Sequence, residues 1–378
     1  MQAARRRGPR TSVARYHDPV SERPPHPNRN PEGVRDEETS AVPVEMATLL
    51  PAGKLAPEFL ARLIDTSLPP EVVLGPRVGE DACAIEVEAG TLVAATDPIT
   101  LTGAGVGAHA VAVNANDVAV TGARPRWFLA CVLLPEGSTG EDAEALFAGM
   151  RRALHRVGAT LVGGHTEVTG AVRQPVVVGQ MLGIAAERVV PTGGFRPGDV
   201  VVQVGPAPVE GAAVLADVLP QARLAAVSPR VLEAARSALD APGISVVEPA
   251  LAAARAGASA LHDPTEGGLS AGLHEMAEAS GVALAINPER ILWFEPGVEL
   301  CAAAGLDPWG TLASGTLLAG FALDRLDGAL HDLACAGYPA FVIGNAKRGR
   351  GVSFTGGAPL TRFERDELSR LSPTTGAT

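Results

Sequence analysis

Lysine is almost missing from this chain. Its 378 residues include two, Lys54 and Lys347, and no G-x-x-x-x-G-K-[ST] segment. A Walker-type nucleotide loop, whose lysine reaches the phosphates, is therefore excluded. Cysteine is scarce as well. Cys83, Cys131, Cys301 and Cys335 lie far apart with no C-x-x-C pair, which argues against a structural zinc site and against a secreted disulfide framework. Each sits in an apolar stretch and is expected as a reduced core thiol. No uncharged apolar run approaches the roughly 20 residues that span a bilayer, so a soluble, cytoplasmic protein without a membrane partner is expected. Positive charge is in deficit: 31 Lys and Arg stand against 42 Asp and Glu, a net charge of −11. Nucleic acid, which needs a basic face, is not an expected partner. A phosphate-bearing ligand remains compatible with such a chain if a divalent cation screens the carboxylates. The segment GAGVGA (103–108) hints at a dinucleotide loop, but no acidic residue follows about 20 positions on to hold a ribose.

What is present is ample for burial, since 46% of the residues are hydrophobic, and the length favours two domains. Residues 1–45 mix arginine, proline and acid without an apolar period, so this stretch is expected to be a disordered extension. It lacks the apolar segment of a signal peptide, and Met46 is a candidate for the true start. Residues 46–190 and 191–356 are expected as two domains, with residues 357–378 as a tail. In the first domain the pattern predicts a helix over 55–64, two strands around the Ala89-Gly90 turn and a helix over about 107–121. A buried strand over 127–135 follows, then a helix opened by a Ser138/Glu141 capping box and closed at Gly158, then two more strands. One face of the resulting sheet must be covered by the helices. In the second domain, PTGGFRPGD precedes a fresh strand. Alanine-rich helices follow, then a helix in which Leu269, Leu273 and Met276 share a face and which Gly281 ends.

Polar residues interrupt the first domain at regular places. Glu80 and Asp81 precede a strand, Asp97 ends the next, Asn114 and Asp117 lie one turn apart on an otherwise apolar helix, and GGHTE (163–167) breaks an apolar strand. Carboxylates gathered in this way need a cation, because like charges otherwise raise one another's pKa. Magnesium suits them, taking oxygen ligands, water and phosphate oxygens together. Gly267 and Gly268 stand at the start of a second-domain helix, where free backbone N–H groups and the helix dipole favour an anion.

The ordered segments GEDACAI, ATDP, NANDVAVTGARP and GGHTEV resemble the AIR synthase (PurM-like) superfamily over about residues 50–355. HDPTEGGL (262–269) is similar to the DPTRGGL segment of its HypE-like branch, with Glu266 in place of the arginine. The resemblance implies a two-domain α/β (α+β) PurM-like fold, with an N-terminal mixed sheet covered by helices on one face and a C-terminal α/β domain. It implies ATP and magnesium bound at a homodimer interface formed through the N-terminal domain. Carried over by residue, Asp81, Asp97 and Asp117 become metal residues. Asn114, Thr166, Gly267, Gly268 and Lys54 become ATP- and phosphate-binding residues, and His165 and Asp117 catalytic ones. Many members carry Asp where this chain has His165. An imidazole is a poor magnesium ligand and here would donate a hydrogen bond to a phosphate or serve as an acid/base. Ser314, Gly315 and Thr316 lie in LASGTLLAGF (312–321), similar to a strand near the family's site, although a β-bulge accounts for the glycine equally well.

The chemistry implied is transfer of phosphate from ATP to an oxygen of a small or protein-borne acceptor. HypE itself uses a cysteine on a C-terminal tail, whereas this sequence shows none after Cys335, so the acceptor is expected to be a free small molecule or another protein. Selenophosphate synthetase-like and thiamine-phosphate kinase-like phosphotransfer are the enzymic alternatives. A non-catalytic ATP-binding role beside a partner protein in metallocentre assembly is the remaining one. ATP turnover separates the enzyme from the scaffold.

Overall fold

The computed structural model describes residues 49–50, 53–54, 57–64, 67–74, 84–87, 90–100 and 105–371. The extension at 1–45, Asp81 and Cys83 lie outside them. Along the first half run β1 (Gly53–Lys54), α1 (Pro57–Leu63), β2 (Val72–Leu74), β3 (Ala84–Ile85), β4 (Thr91–Ile99), α2 (Val106–Ala119), β5 (Arg124–Pro135), α3 (Gly140–Val157), β6 (Thr160–Thr169) and β7 (Val176–Ala185). Five strands form one sheet in the order β1-β6-β5-β7-β4. Its pairs are antiparallel except for β5 with β6, which run parallel. The two strands expected around Ala89-Gly90 are not partners: β3 pairs with β2 in a separate ribbon, and β4 pairs with β7.

Helix α3 shows how close the local signals come. Its capping box is Thr139 with Asp142, one residue beyond the expected Ser138/Glu141 pair. Thr139 Oγ1 accepts from the Asp142 N–H, and the Asp142 carboxylate accepts from the Thr139 N–H at 2.8 Å. Ser138 instead donates to the Pro135 carbonyl. Both residues are capable caps; the length of β5 decides between them. Gly158 closes the helix in the left-handed conformation, as expected.

The second half contains β8 (Val200–Val204), α4 (Val209–Val218), α5 (Gln221–Leu224), α6 (Pro229–Arg236), α7 (Val247–Arg255), β9 (Ala260–His262), α8 (Gly268–Ser280), β10 (Ala283–Ile286), α9 (Glu295–Ala304), β11 (Leu317–Phe321), α10 (Leu326–Cys335), β12 (Ala340–Lys347) and β13 (Gly351–Phe354). Six of these strands make a second sheet, ordered β13-β10-β12-β8-β11-β9. The fold is thus mixed α/β with two sheets. Ser314, Gly315 and Thr316 fall in a turn before β11 rather than in a bulge within it, and Gly315 takes φ +101° there.

The two halves share one core. Val111, Ala115 and Val118 of α2 belong to the same buried cluster as Val246, Ala250 and Leu251 around α7, together with Leu317 and Phe321 of β11. Polar side chains pin the junction. Asn116, fully buried, donates to the Ile244 carbonyl at 2.9 Å and accepts from the Val246 N–H at 2.8 Å. His109 of α2 pairs with Glu210 of α4 at 2.7 Å, with both side chains withdrawn from solvent. Among the described residues, no helix is long and apolar enough to cross a membrane.

Candidate active site at the junction of the two halves

Helix α2 and strand β4 are locked together by Asn114. Its Oδ1 accepts from the Asp97 N–H at 2.9 Å, while its Nδ2 donates to the carbonyls of Asp97, at 3.2 Å, and Ala110, at 2.9 Å. The approach requires Gly179 on β7, where any Cβ would collide with the Asn114 amide and with the Phe128 ring. Asn114 is therefore an orienting residue. Both of its amide protons are committed to backbone, so it keeps no donor for a phosphate.

The Asp97 carboxylate lies on the helix-covered side of the sheet and has Asp117 as an electrostatic neighbour. From the second half, Asp263, which follows β9 directly, joins them. All three are raised, and the charge of Asp97 contributes to the shifts of the other two. Burial, then the charge of Glu266, lifts Asp97 above the usual carboxylate range, and His109 opposes the shift. Burial and Asp97 push Asp117 up to about 6, and burial and Asp117 push Asp263 to about 7. Asp263 is 5% exposed, and its Oδ2 has no hydrogen-bond partner. An orphaned, buried carboxylate oxygen beside two further carboxylates is a place where a cation would be welcome.

Among the described residues, no three acidic, histidine or cysteine side chains converge tightly enough to enclose a metal by themselves. A cation held here would need water or ligand oxygens beside the carboxylates, as magnesium generally does.

Two histidines attend the cluster. His109 is held by Glu210. His262 Nε2 lies 2.7 Å from Glu275 Oε2, and His262 lowers both Asp117 and Asp263. Asp263, His262 and the His109–Glu210 pair were not among the residues singled out from the sequence. The signal for the first two stood beside the motif, since His262 and Asp263 open the HDPTEGGL segment. Nothing in the sequence announces that His109 and Glu210, about a hundred positions apart, would meet.

The loop after Asp263 reaches Gly267 and Gly268, which take φ +77° and +67°, left-handed values that favour glycine, and start α8. Their anion site is filled from within: the Gly267 N–H donates to Asp366 Oδ2 at 2.9 Å. Beside the loop, the Ala313 N–H bonds to the Thr265 carbonyl. The next residue, Ser314, is 1% exposed with an unpartnered Oγ, whereas Thr316 spends its hydroxyl on the Pro206 carbonyl.

The remaining sequence-derived candidates lie elsewhere. His165 is on β6, with two strands between it and β4, and it faces the side of the sheet away from α2 and α3. There it is exposed and 3.2 Å from Glu167 Oε2. It therefore does not meet Asp117, as a shared catalytic role within one chain would require. The reason is strand alternation: neighbouring Thr166 points to the helix side and His165 to the other. Thr166 is buried, with two strands between it and Asp97. Lys54 is on β1, at the sheet edge opposite β4, in backbone register with Glu167 of β6.

The thiols also divide. Cys301 is buried and its pKa is pushed up to about 11 by burial, and Cys131 is half-buried on the sheet. Cys335, expected in a core, is exposed and contacts His331 at 3.5 Å, because its face of α10 turns outward.

Comparison with known proteins adds the following. Residues 79–185 match the family described as AIR synthase related protein, N-terminal domain, and residues 196–357 match AIR synthase related protein, C-terminal domain. The chain is 33% identical to the carbamoyl dehydratase HypE of Rhodobacter capsulatus over 56% of its own length and 60% of that relative. With the carbamoyl dehydratase HypE of Cupriavidus necator it shares 30% identity, covering 70% of this chain and 74% of the other. Its fold is similar to that of the hydrogenase maturation protein HypE in complex with ATP, with a TM-score of 0.63 at 24% identity over 82% of this chain and 93% of that one.

Proposed function

The chain belongs to the AIR synthase related family, and from that premise we propose that it is an ATP- and magnesium-dependent enzyme. In this proposal it passes a phosphoryl group from ATP to an oxygen of a small or protein-borne acceptor in the cytoplasm. One observation carries the proposal: Asp97, Asp117 and Asp263 are brought together from both halves, each raised above the ordinary carboxylate range, with one buried oxygen left without a partner. A similarly folded HypE is known in complex with ATP, which supports that nucleotide.

One or two of Asp97, Asp117 and Asp263, together with water, would hold magnesium, with Asp81 as a further candidate. When bound, the ion supplies neutralisation of charge on the phosphate oxygens. Asn114 fixes the backbone of Asp97 so that the carboxylate has one direction. The His109–Glu210 pair ties α2 to α4 beside Asp97. Glu275 holds His262 through Nε2, which leaves its ring fixed beside Asp117 and Asp263. At the glycine start of α8, a phosphate would take the Gly267 N–H in place of Asp366.

The side of the first sheet away from α2 and α3, only partly covered among the described residues, supports a homodimer in which a second copy would cover His165 and Glu167. Because HypE relatives are maturation proteins, a maturation partner that presents the acceptor is part of the same proposal.

Asp97→Asn and Asp117→Asn should each weaken Mg-ATP binding at least about tenfold, the loss of one charge-assisted contact. Calorimetry with and without magnesium measures this. Undiminished affinity in both folded variants would overturn the assignment. Tight binding without acceptor phosphorylation or hydrolysis would make the protein a scaffold.

A further inference from the structure

The segment after β13 returns across the start of α8 and is tied down along its length. The Leu360 carbonyl lies 3.2 Å from His274 Nε2. The Thr361 carbonyl accepts from Ser270 Oγ, and Arg362 pairs with Glu278. Phe363 lies against Gly310, where any Cβ would run into its ring. Asp366 Oδ2 accepts from the Gly267 N–H at 2.9 Å, and its Oδ1 accepts from the Leu368 N–H at 2.9 Å. Glu367 accepts from the Asp307 N–H at 2.9 Å and pairs with Arg370. Segment 360–370 is a strap with two inward carboxylates: Glu367 holds the Asp307 N–H, and Asp366 occupies the N–H donor at the glycine start of the helix.

The place it occupies is not comfortable for a carboxylate. Burial is the main cause of a pKa raised to about 6, with Glu266 and Glu210 adding to it. The same Glu266 raises Asp97, and the same Glu210 holds His109, so Asp366 stands in the electrostatic neighbourhood of the junction cluster. The loop under it is flanked by the two buried, unpartnered oxygens of Asp263 and Ser314. A carboxylate on a helix N-terminus uses the donors a phosphate would use.

We propose that the strap is an autoinhibitory contact: Asp366 stands in for a phosphate of the nucleotide, and binding of Mg-ATP displaces segment 360–370 from the start of α8. The inference rests on the nucleotide-binding reading above. Displacement follows from competition for one donor. A ligand whose site is free only in a fraction of molecules binds with its affinity reduced by that fraction, and loosening the competitor restores it.

The test uses the full chain and Mg-ATP. Asp366→Ala should bind Mg-ATP at least about threefold more tightly than wild type by calorimetry. Removing any nearby carboxylate would favour an anion, so Phe363→Ala, which loosens the strap without changing charge, is the second variant and should also bind more tightly. Thermal melts establish that both variants are folded. In the wild type, Mg-ATP should speed tryptic cleavage after Arg365. Equal or weaker binding in Phe363→Ala, or protection of Arg365 by Mg-ATP, would overturn the strap, with Asp366 then a part of the site or a plain helix cap. If Mg-ATP binds and Asp97→Asn abolishes the binding while the strap variants change nothing, the strap alone falls. If no variant and no wild type binds Mg-ATP, both proposals fall.

Discussion

Asp263 bears the largest electrostatic strain at the junction, being buried, flanked by Asp117 and left with one oxygen unpaired. The consequence for stability has a definite sign. In the unfolded chain an aspartate titrates near 4. In the folded chain Asp117 is raised to about 6 and Asp263 to about 7. Between those values the folded protein binds more protons than the unfolded one, so these groups contribute stability that is full below about pH 4 and lost as pH rises through 6 and 7. Asp142, Glu248 and Glu275 are lowered by hydrogen bonds. Their contribution is present above the ordinary carboxylate range and lost only below it, outside this window. In urea melts without divalent cation, Asp263→Asn should therefore gain on the wild type as pH rises from 5 to 7.5 and be the more stable protein at 7.5. Adding magnesium should narrow the gap from the wild-type side. A gap that shrinks with rising pH would contradict the cluster.

At the scale of elements, α2 does most of the positioning, with Asn114 facing β4, Asn116 facing the loop before α7, His109 facing α4 and Asp117 facing the site. A single helix reaches these neighbours because residues at successive offsets point in different directions around its axis. Gly179 on β7 makes the Asn114 contact sterically feasible. Gly179→Ala should cost about 1–3 kcal/mol through overpacking against Asn114 and Phe128. It should weaken Mg-ATP binding as well, since Asp97 loses its fixed direction. Chemical denaturation and calorimetry on one sample measure both effects. A stable variant with full affinity would show that the lock is not needed.

The helical spacing of Asn114 and Asp117 was legible before any coordinates, as were α3 and its glycine stop. The partners of Asn114 were not, because a hydrogen bond to backbone 17 residues away leaves no local pattern. The capping box slipped by one residue for a similar reason: two adjacent residues had the right chemistry, and only the end of β5 chose between them.

For the whole molecule, the telling surface is the side of the first sheet away from α2 and α3. The β2–β3 ribbon covers one end, where Trp127 and Val162 are buried. Leu92, 50% exposed, lies on the rest with half-buried Val178 and Cys131 and with His165. A half-covered apolar face of this kind favours self-association through a two-fold axis. Light scattering at micromolar concentration should give a dimer, and Val178→Glu should give a folded monomer, because an unpaired carboxylate would be buried in the interface. A monomeric wild type would contradict the arrangement. A dimer would also give His165 a second chance to reach a nucleotide site, from the neighbouring copy.

By itself, the sequence determined the α/β class, and it singled out Asp97, Asn114, Asp117 and the glycine start of α8 as candidates. These depend on local chemistry: periodicity, caps, glycines and ordered polar motifs that a chain carries wherever it folds. Only the tertiary structure decided which of those residues meet. Strand alternation sent His165 to the far face, sheet order set Lys54 at the opposite edge, and the shared core around α7 brought Asp263 to Asp117. The seating of Asp366 on Gly267, 99 positions away in sequence, is also tertiary. Contacts of that kind are set by the packing of whole elements against one another, and no short stretch of sequence encodes the packing.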